Sequence, residues 1–343
     1  MATSWGEMFP PSPGFTEKDI SSQHGRVFLI TGGTTGIGFE LAKALYHLNG
    51  RVYITSRSLR SAEAAITRIT SSRPHPSQKI AAGSGSLQPL KLDFSDLRTI
   101  KATAKEFLLK ETRLDVLWHN AGLMIPDDPK ATTAQGYHEQ LGINALGPFL
   151  LQHFLTPLIL ATAAFPSTPA FSTRVIFVSS SGHRAAPKPD GVNWSDINLS
   201  STTKAELSAT IERYGQSKAM NVMHAHELAR KYHSKGVMSL SLHPGSLSTG
   251  LQKNAPRIFN AIFSMFRYEP RFGALTGLWA GLVPVSPEEG NMGGNGKYGR
   301  NGGYVLPWGR WGEGSKDVFQ GLRNRGTGER LWILCEELVR DFM

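Results

Sequence analysis

The stretch RVFLITGGTTGIGFELAKALYHL, residues 26–48, decides the fold. A short apolar run with β-branched residues leads directly into a glycine-rich turn, and apolar residues at helical spacing follow the turn. Asn49-Gly50 then signals the end of the helix, and a second strand, RVYIT, begins at residue 51. The sequence therefore predicts a strand–loop–helix–strand unit.

The same alternation runs through most of the chain. Further strands are predicted at 87–93, 114–120, 174–180, 236–243 and 304–307, with helices near 60–70, 97–110, 137–160 and 205–233. Strands that are apolar throughout and alternate with helices form a parallel sheet covered on both faces. We therefore expect a doubly wound, Rossmann-like α/β sheet in a single domain, residues 25–343.

The remaining segments are predicted to surround this domain. Residues 1–24 form an arm that lacks the pattern of a secretory signal. Polar connections rich in proline, glycine and serine occupy 71–86 and 183–203, and a C-terminal extension of about 288–343 begins with a glycine-rich loop.

Composition excludes several classes of protein. The net charge of +10 is spread along the chain without a Lys/Arg run, so no nucleic-acid partner is expected. The single cysteine, Cys335, lies in an apolar helical stretch and fits a reducing, cytoplasmic compartment. His224 and His226 face different sides of a helix and no acid or cysteine completes a zinc site, so no metal site is predicted.

One apolar stretch, residues 146–165, is long enough to suggest a membrane span. It contains His153, Pro148 and Pro157 and lacks charged flanks, which favours a buried helix of an α/β core. No integral membrane span is therefore expected.

The glycine-rich turn indicates a ligand. Gly32, Gly36 and Gly38 stand between a strand and a helix, where glycines allow a tight turn and let the backbone approach a pyrophosphate held at the helix N-terminus. A purely structural turn is the alternative.

The end of the second strand indicates which dinucleotide is bound. NAD enzymes usually present Asp or Glu there for the ribose 2′-hydroxyl, but this chain reads YITSRS. Arg57 stands where a 2′-phosphate needs a cation, and Ser56 and Ser58 offer hydroxyl donors. The missing acid favours NADP over NAD.

A tyrosine and a lysine lie four residues apart in IERYGQSKAM, residues 211–220. On a helix Tyr214 and Lys218 would point the same way, and a lysine cation would lower the phenol pKa from about 10. Such a tyrosine can exchange a proton with a substrate oxygen. By itself the spacing also fits an ordinary polar helix face.

These residues together resemble the short-chain dehydrogenase/reductase family, over about residues 25–250. The family's TGxxxGxG loop matches Thr31–Gly38, with Gly32, Gly36, Ile37 and Gly38, and its adenine-contacting acid matches Asp93. Its NAG motif matches Asn120, Ala121 and Gly122, its helix asparagine matches Asn144, and its YxxxK pair matches Tyr214 and Lys218. Its PG turn matches Pro244 and Gly245, with Leu247 and Thr249 following.

The resemblance implies a role for each catalytic residue. Tyr214 would protonate the substrate carbonyl, Lys218 would lower its pKa and hold the nicotinamide ribose, and Asn144 would hold a water that links Lys218 to solvent. In the family the second serine of VSS meets the substrate oxygen, which is Ser180 here. The resemblance also makes the amphipathic, basic segment near 255–268 part of a substrate lid, about 250–285, whereas its pattern alone also fits contact with a membrane surface.

The chain departs from compact family members in its long interval between Ser180 and Tyr214 and in its long tail. It is similar in these features to retinol-dehydrogenase-like members and to fungal reductases of secondary metabolism. We therefore expect an NADP(H)-dependent oxidoreductase acting on the carbonyl or alcohol of a small to medium, apolar molecule, with homo-oligomerisation left open. The alternative is a non-catalytic NADP-sensing protein, against which the intact proton-donating set argues.

Overall fold

The computed structural model of the protein describes residues 6–7, 9–75, 85–124, 131–204, 206–247, 268–286, 288–292 and 300–343. Within these ranges eight strands form one sheet in the order β3-β2-β1-β4-β5-β6-β7-β8. The strands are β1 Val27–Ile30, β2 Arg51–Ser56, β3 Ser86–Lys91, β4 Val116–His119, β5 Thr173–Val178, β6 Val237–Leu242, β7 Tyr304–Leu306 and β8 Arg310–Gly312. The first seven are parallel, and β8 pairs antiparallel with β7.

The helices of the described residues lie on both faces of this sheet. They are α1 Gly36–His47, α2 Leu59–Thr70, α3 Ile100–Lys110, α4 Glu139–Ala163, α5 Glu206–Tyr232, α6 Pro270–Leu282, α7 Lys316–Asn324 and α8 Thr327–Val339. Helix α1 ends as predicted, because Asn49 adopts the left-handed conformation (φ 67°) after its last turn.

Two apolar cores follow from the alternation of side chains along the strands. Val27 and Leu29 of β1 join a core with residues of α3, α4, α5 and α8, whereas Phe28 and Ile30 join a core with residues of α1, α2 and α6. The predicted doubly wound, Rossmann-like single domain is therefore confirmed.

Helix α4 is the apolar stretch that resembled a membrane span. It is the one helix of the described chain long and apolar enough to cross a membrane, and 67% of its most apolar window is buried inside the protein. Leu150, Leu151, Leu155 and Ile159 all lie in the core. The helix is thus a core helix, as its sequence predicts.

Helix α6 was not predicted as a helix, and glycine is the reason. Gly273, Gly277 and Gly281 recur every four residues, a pattern with low helix propensity. A Cβ at position 281 would lie 2.2 Å from the ring of Trp118, so the glycines let α6 pack closely on the sheet. Helix α6 falls within the segment expected to be a lid, whose residues 250–267 lie outside the described ranges.

The C-terminal extension is built into the domain. Its strands β7 and β8 extend the sheet, and α8 packs on α4 and α5. Trp332 of α8 meets Phe149 of α4 edge to face at 4.9 Å between ring centres, and the Tyr137 hydroxyl donates to the Leu338 carbonyl at 2.9 Å. Strand β8 and helix α7 were not predicted, since they are only three and nine residues long.

Candidate active site

A cleft of about 1010 Å³ opens at the carboxyl ends of the parallel strands. The segments after β1 to β6 all contribute to its wall. Strands β1 and β4 are neighbours, and the chain runs outwards from them in opposite directions. In an open α/β sheet, ligands bind in the crevice at this reversal of strand order. The cleft is therefore the candidate active site.

The glycine-rich turn after β1 forms part of this cleft. Gly32 has a φ of 68°, in the region that favours glycine. A Cβ at position 38 would lie 2.4 Å from the Gly32 carbonyl oxygen, so Gly38 is needed for α1 to approach the turn. Gly32, Gly36 and Ile37 line the cleft, whereas Gly38 packs behind them. The N-terminus of α1, a good anion site, thus lies at the cleft.

Thr31 joins this turn to the segment after β4. Its Oγ1 accepts hydrogen bonds from the backbone N–H of Asn120 (3.0 Å) and of Ala121 (2.9 Å). The side-chain amide of Asn120 donates to the Thr31 carbonyl at 2.9 Å and to the Gly32 carbonyl at 3.1 Å. Asn120, Ala121 and Gly122 are thereby held in the cleft wall.

Arg57 follows β2 and lines the cleft between Ser56 and Ser58. It is exposed, and no residue of the described chain forms a hydrogen bond or ion pair with its guanidinium. Ser58 caps α2, where its Oγ accepts from the backbone N–H of Ser61 at 3.4 Å. The cation at this end of the cleft is thus free to meet an anionic ligand.

Two other predicted cofactor-binding segments complete the wall. The carboxylate of Asp93 accepts hydrogen bonds from the backbone N–H (2.9 Å) and hydroxyl (2.7 Å) of Ser95. After β6, the predicted residues Pro244, Gly245 and Leu247 lie in the wall together with His243 and Ser246. The remaining predicted residue, Thr249, lies outside the described ranges.

Three consecutive serines follow β5 and have different surroundings. Ser179 is buried, and its hydroxyl donates to the Lys218 carbonyl at 2.8 Å. Ser180 lines the cleft, where its Oγ accepts from the Gly182 N–H at 3.1 Å and lies beside the phenol of Tyr214. Of the three serines, Ser180 is therefore the one whose hydroxyl lies beside the phenol, and its catalytic role stays a prediction.

Tyr214 and Lys218 lie on one face of α5 and both line the cleft. Lys218 Nζ lies 5.7 Å from the centre of the Tyr214 ring and donates to the Val178 carbonyl at 2.9 Å. Burial raises the pKa of Tyr214 to about 12, partly offset by its hydrogen bond with Ser180. Burial lowers the pKa of Lys218 to about 8.

These pKa values differ from the expectation that Lys218 depresses the pKa of Tyr214. In the chain alone burial of the phenol dominates, and the ammonium is directed to a backbone carbonyl. At neutral pH Tyr214 is therefore protonated and Lys218 is mostly charged. A neutral phenol is the form that can donate a proton.

Asn144 does not line the cleft but lies directly behind it, in a π-helical turn (Gly142–Leu146) within α4. Its Oδ1 accepts from the Leu123 N–H at 2.8 Å, and its Nδ2 donates to the Leu123 carbonyl (2.9 Å) and to the Ser217 hydroxyl (3.0 Å). A Cβ at position 122 would lie 3.1 Å from both Asn144 Oδ1 and Lys218 Nζ. The asparagine thus ties the segment after β4 to α5.

Sequence reasoning missed the apolar residues of the wall. Leu123 and Met124 follow the NAG segment, and Ile143 and Ile211 come from α4 and α5. Ile211 could have been found, because it lies three residues before Tyr214 on the same helical face. The described part of the chain holds no group of three or more His, Cys, Asp or Glu side chains placed for a metal ion.

The comparisons with known proteins agree with this geometry. A family model described as short chain dehydrogenase matches residues 26–188. A short-chain dehydrogenase/reductase of Phomopsis amygdali is 37% identical over 100% of this chain and 98% of its own length. The short-chain dehydrogenase/reductase pkfC of Emericella nidulans is 36% identical over 96% of this chain and 98% of its own. An uncharacterized protein from Mycobacterium paratuberculosis, known from its crystal structure, is 25% identical and superposes with a TM-score of 0.66, covering 96% of this chain and 98% of that one.

Proposed function

The chain belongs to the short-chain dehydrogenase/reductase family of oxidoreductases, which bind nicotinamide cofactors, and on that premise we propose that it is an NADP(H)-dependent carbonyl reductase or alcohol dehydrogenase. The observation that carries the proposal is that Ser180, Tyr214 and Lys218 line one cleft. The glycine-rich turn forms part of the wall of the same cleft. A protonated phenol beside a serine hydroxyl suits the addition of a proton to a carbonyl oxygen.

The residues of the cleft fit a dinucleotide. In the turn from Gly32 to Gly38, the neighbouring backbone leaves no room for side chains at these two glycines. The turn would hold the pyrophosphate at the N-terminus of α1. By the family resemblance, Asp93 would contact the adenine and Lys218 the nicotinamide ribose. The segment Asn120–Gly122 and the segment from Pro244 would form the walls beside it. The cofactor supplies the hydride when bound.

The side chains of the cleft would handle the substrate oxygen and its proton. Tyr214 donates its phenolic proton to the carbonyl oxygen, and the Ser180 hydroxyl hydrogen-bonds the same oxygen as negative charge develops. The charge of Lys218 stabilises the phenolate that remains. Asn144, by the resemblance, holds the water through which the proton is replaced.

The preference for NADP over NAD rests on Arg57. It is exposed at the cleft without an acidic neighbour at the end of β2, and its charge would pair with the 2′-phosphate. An acid at this position would instead accept from a 2′-hydroxyl.

Exchange of this charge tests the cofactor. Arg57→Asp should lower the catalytic efficiency with NADPH, because the carboxylate repels the 2′-phosphate. The ratio of the efficiency with NADH to that with NADPH should therefore rise. The ratio of kcat/KM for the two cofactors measures the effect, and Arg60→Asp, an exposed residue that is not part of the cleft wall, is the control. A wild type that already prefers NADH contradicts the proposal.

The substrate is expected to be a small to medium, mostly apolar molecule. Leu123, Met124, Ile143 and Ile211 contribute an apolar wall to the same cleft as Tyr214. The similarity to fungal members of the family supports a place in secondary metabolism. The expected use of NADPH favours reduction as the direction in the cell. A cytoplasmic location remains part of the proposal.

Removal of the phenolic hydroxyl tests the function. NADPH oxidation by the wild type is measured with a panel of apolar ketones and quinones, and Tyr214→Phe should lower turnover at least about a hundredfold. The variant should bind NADPH with unchanged Kd, because only one hydroxyl is lost. Near-normal turnover with intact cofactor binding would end the assignment of Tyr214.

A further inference from the structure

His183 contacts the carbonyl of Ser180 but does not line the cleft itself. It is fully buried in the short 3₁₀ helix Ser181–Ala185 that follows β5. Its Nδ1 is within hydrogen-bonding distance of the Ser180 carbonyl oxygen, and its Nε2 lies 2.7 Å from the backbone nitrogen of Ser315. The ring therefore joins Ser180 to a residue that lies 132 positions beyond the histidine.

The two contacts fix the tautomer of the ring. The backbone N–H of Ser315 can only donate, so Nε2 must accept and carry no proton. The proton of the neutral ring is then on Nδ1, which donates to the Ser180 carbonyl. Burial lowers the pKa of His183 to about 4, in keeping with a ring that stays neutral.

The C-terminal extension encloses this histidine. Tyr304 of β7 is buried with its ring centre 5.0 Å from that of His183, and its hydroxyl lies 3.4 Å from Nδ1. A Cβ at position 314 would lie 2.7 Å from Nε2, so the backbone before Ser315 packs directly on the ring. Residues of the C-terminal extension thus pack on the ring that contacts the Ser180 carbonyl.

We propose that His183 is a positioning residue, through which the C-terminal extension sets the backbone of Ser180 and so aims the serine hydroxyl at Tyr214. This inference rests on the proposed function, because it concerns the same reaction. The connection is short: the hydroxyl of Ser180 accepts from the Gly182 N–H, and the next residue is the histidine that holds the Ser180 carbonyl. The Ser180 carbonyl also accepts from the backbone N–H of His183 at 3.1 Å, so the ring and the backbone of one residue hold it together.

The expected consequence is a loss of kcat without a loss of cofactor binding. His183 does not line the cleft, so NADPH should bind equally well to its variants. A displaced hydroxyl no longer supports the developing charge, and small misplacements of catalytic groups cost up to about a hundredfold in rate. The KM for the carbonyl substrate should change much less than kcat.

Three substitutions separate the two contacts of the ring. His183→Asn keeps an N–H close to the position of Nδ1, His183→Gln keeps only a polar atom that can reach Ser315, and His183→Phe keeps the ring shape without either contact. We expect kcat to fall by about tenfold to a hundredfold in the Gln and Phe variants, and the Asn variant to recover most of the rate. His153→Asn, at an exposed position of α4, is the control. All variants are assayed below their measured Tm, together with the Kd for NADPH.

The outcomes distinguish this inference from the proposed function. If Tyr214→Phe is inactive while the three His183 variants are folded and keep the wild-type kcat, only the positioning role is overturned. If the Asn variant is no better than the Phe variant, the donor to Ser180 is not what matters and the proposal fails.

A spectroscopic test does not depend on turnover. Nitrogen-15 NMR of the wild-type ring should show the proton of His183 on Nδ1, with slow exchange because the ring is buried. A proton on Nε2 would overturn the inference even if no substrate had been found.

Discussion

At the scale of single residues, neighbouring serines with the same side chain have different tasks because their hydroxyls meet different partners. Ser179 bonds the backbone of α5 through Lys218, whereas Ser180 meets the phenol of Tyr214. Ser181 lines the cleft, and its backbone N–H donates to His243 Nδ1 at 3.3 Å. Position along one strand end is thus enough to separate a structural serine from a catalytic candidate.

Alanine substitution of each serine tests this division. Ser180→Ala should cost roughly 2.7–4 kcal/mol of transition-state stabilisation, as for other donors to a developing oxyanion. Ser179→Ala should instead lower the free energy of unfolding by about 1 kcal/mol, since one buried hydrogen bond is lost, and Ser181→Ala should change little. Catalytic efficiencies and urea unfolding curves of all three variants are compared. A larger loss of efficiency at position 179 or 181 than at 180 overturns the assignment.

At the scale of elements, helix α6 is fixed to the sheet by contacts of its backbone. The Trp118 indole N–H donates to the Gly277 carbonyl at 3.0 Å, and the buried Arg174 of β5 donates to three carbonyls. Two of these acceptors lie at the C-terminal end of α6, Ala280 (2.9 Å) and Val283 (2.6 Å), and the third is Phe171 (2.8 Å). A cation placed at helix C-terminal carbonyls is favourable both as a donor and through the helix dipole.

Removal of this cation should loosen the helix. Arg174→Met keeps most of the apolar stem but leaves three buried carbonyls without their donor, so we expect a loss of about 2–4 kcal/mol in the free energy of unfolding. Arg98→Met, which removes an exposed ion pair with Asp96, is the matched control and should leave the free energy of unfolding nearly unchanged. Chemical denaturation measures both variants. Equal stabilities of the two would show that α6 does not depend on Arg174.

At the scale of the whole molecule, three segments far apart in sequence pack beside the cleft. Arg184 forms an ion pair with Glu7 of the N-terminal arm and donates to the Gly314 carbonyl of the C-terminal extension. In the segment 183–203, Asp190 pairs with Arg325 after α7. The polar insertion before Tyr214 is therefore held by both ends of the chain, which gives the long tail a structural role.

The molecule also buries histidines that must stay neutral. Neither ring nitrogen of His224 has a hydrogen-bond partner within the described residues, and the ring lies 5.3 Å from Phe149 and 5.9 Å from Phe177. Burial lowers the pKa of His224 to about 3, with a further contribution from His119. The unfolded chain binds this proton more tightly, so the stability that depends on the neutral ring is complete above pH 6.5 and is lost as the pH falls towards 3.

The pH dependence of stability should therefore change when this ring is removed. Between pH 7.5 and 4.5, the wild type should lose about 2–3 kcal/mol more unfolding free energy than His224→Leu. His153→Leu, at the surface of α4, should keep the wild-type slope. Urea titrations over this pH range measure the difference, and parallel curves for the wild type and His224→Leu would contradict it.

Local sequence determined the alternation of strands and helices, the glycine-rich turn and the positions of Arg57, Tyr214 and Lys218. Each is encoded within a few residues, by the period of apolar side chains or by a spacing that one turn or one helix face realises. Local sequence did not predict α6, because Gly273 and Gly281 weaken a helix locally and are required only where α6 meets Leu247 and the ring of Trp118.

Only the tertiary structure decided which of these residues lie in contact and what their pKa values are. The pKa of Tyr214 depends on burial by the folded chain, and His183 meets Ser315 only because the C-terminal extension packs against the segment after β5. Contacts between residues more than a hundred positions apart leave no periodic pattern in either segment, because the partner of each side chain lies in a different part of the sequence.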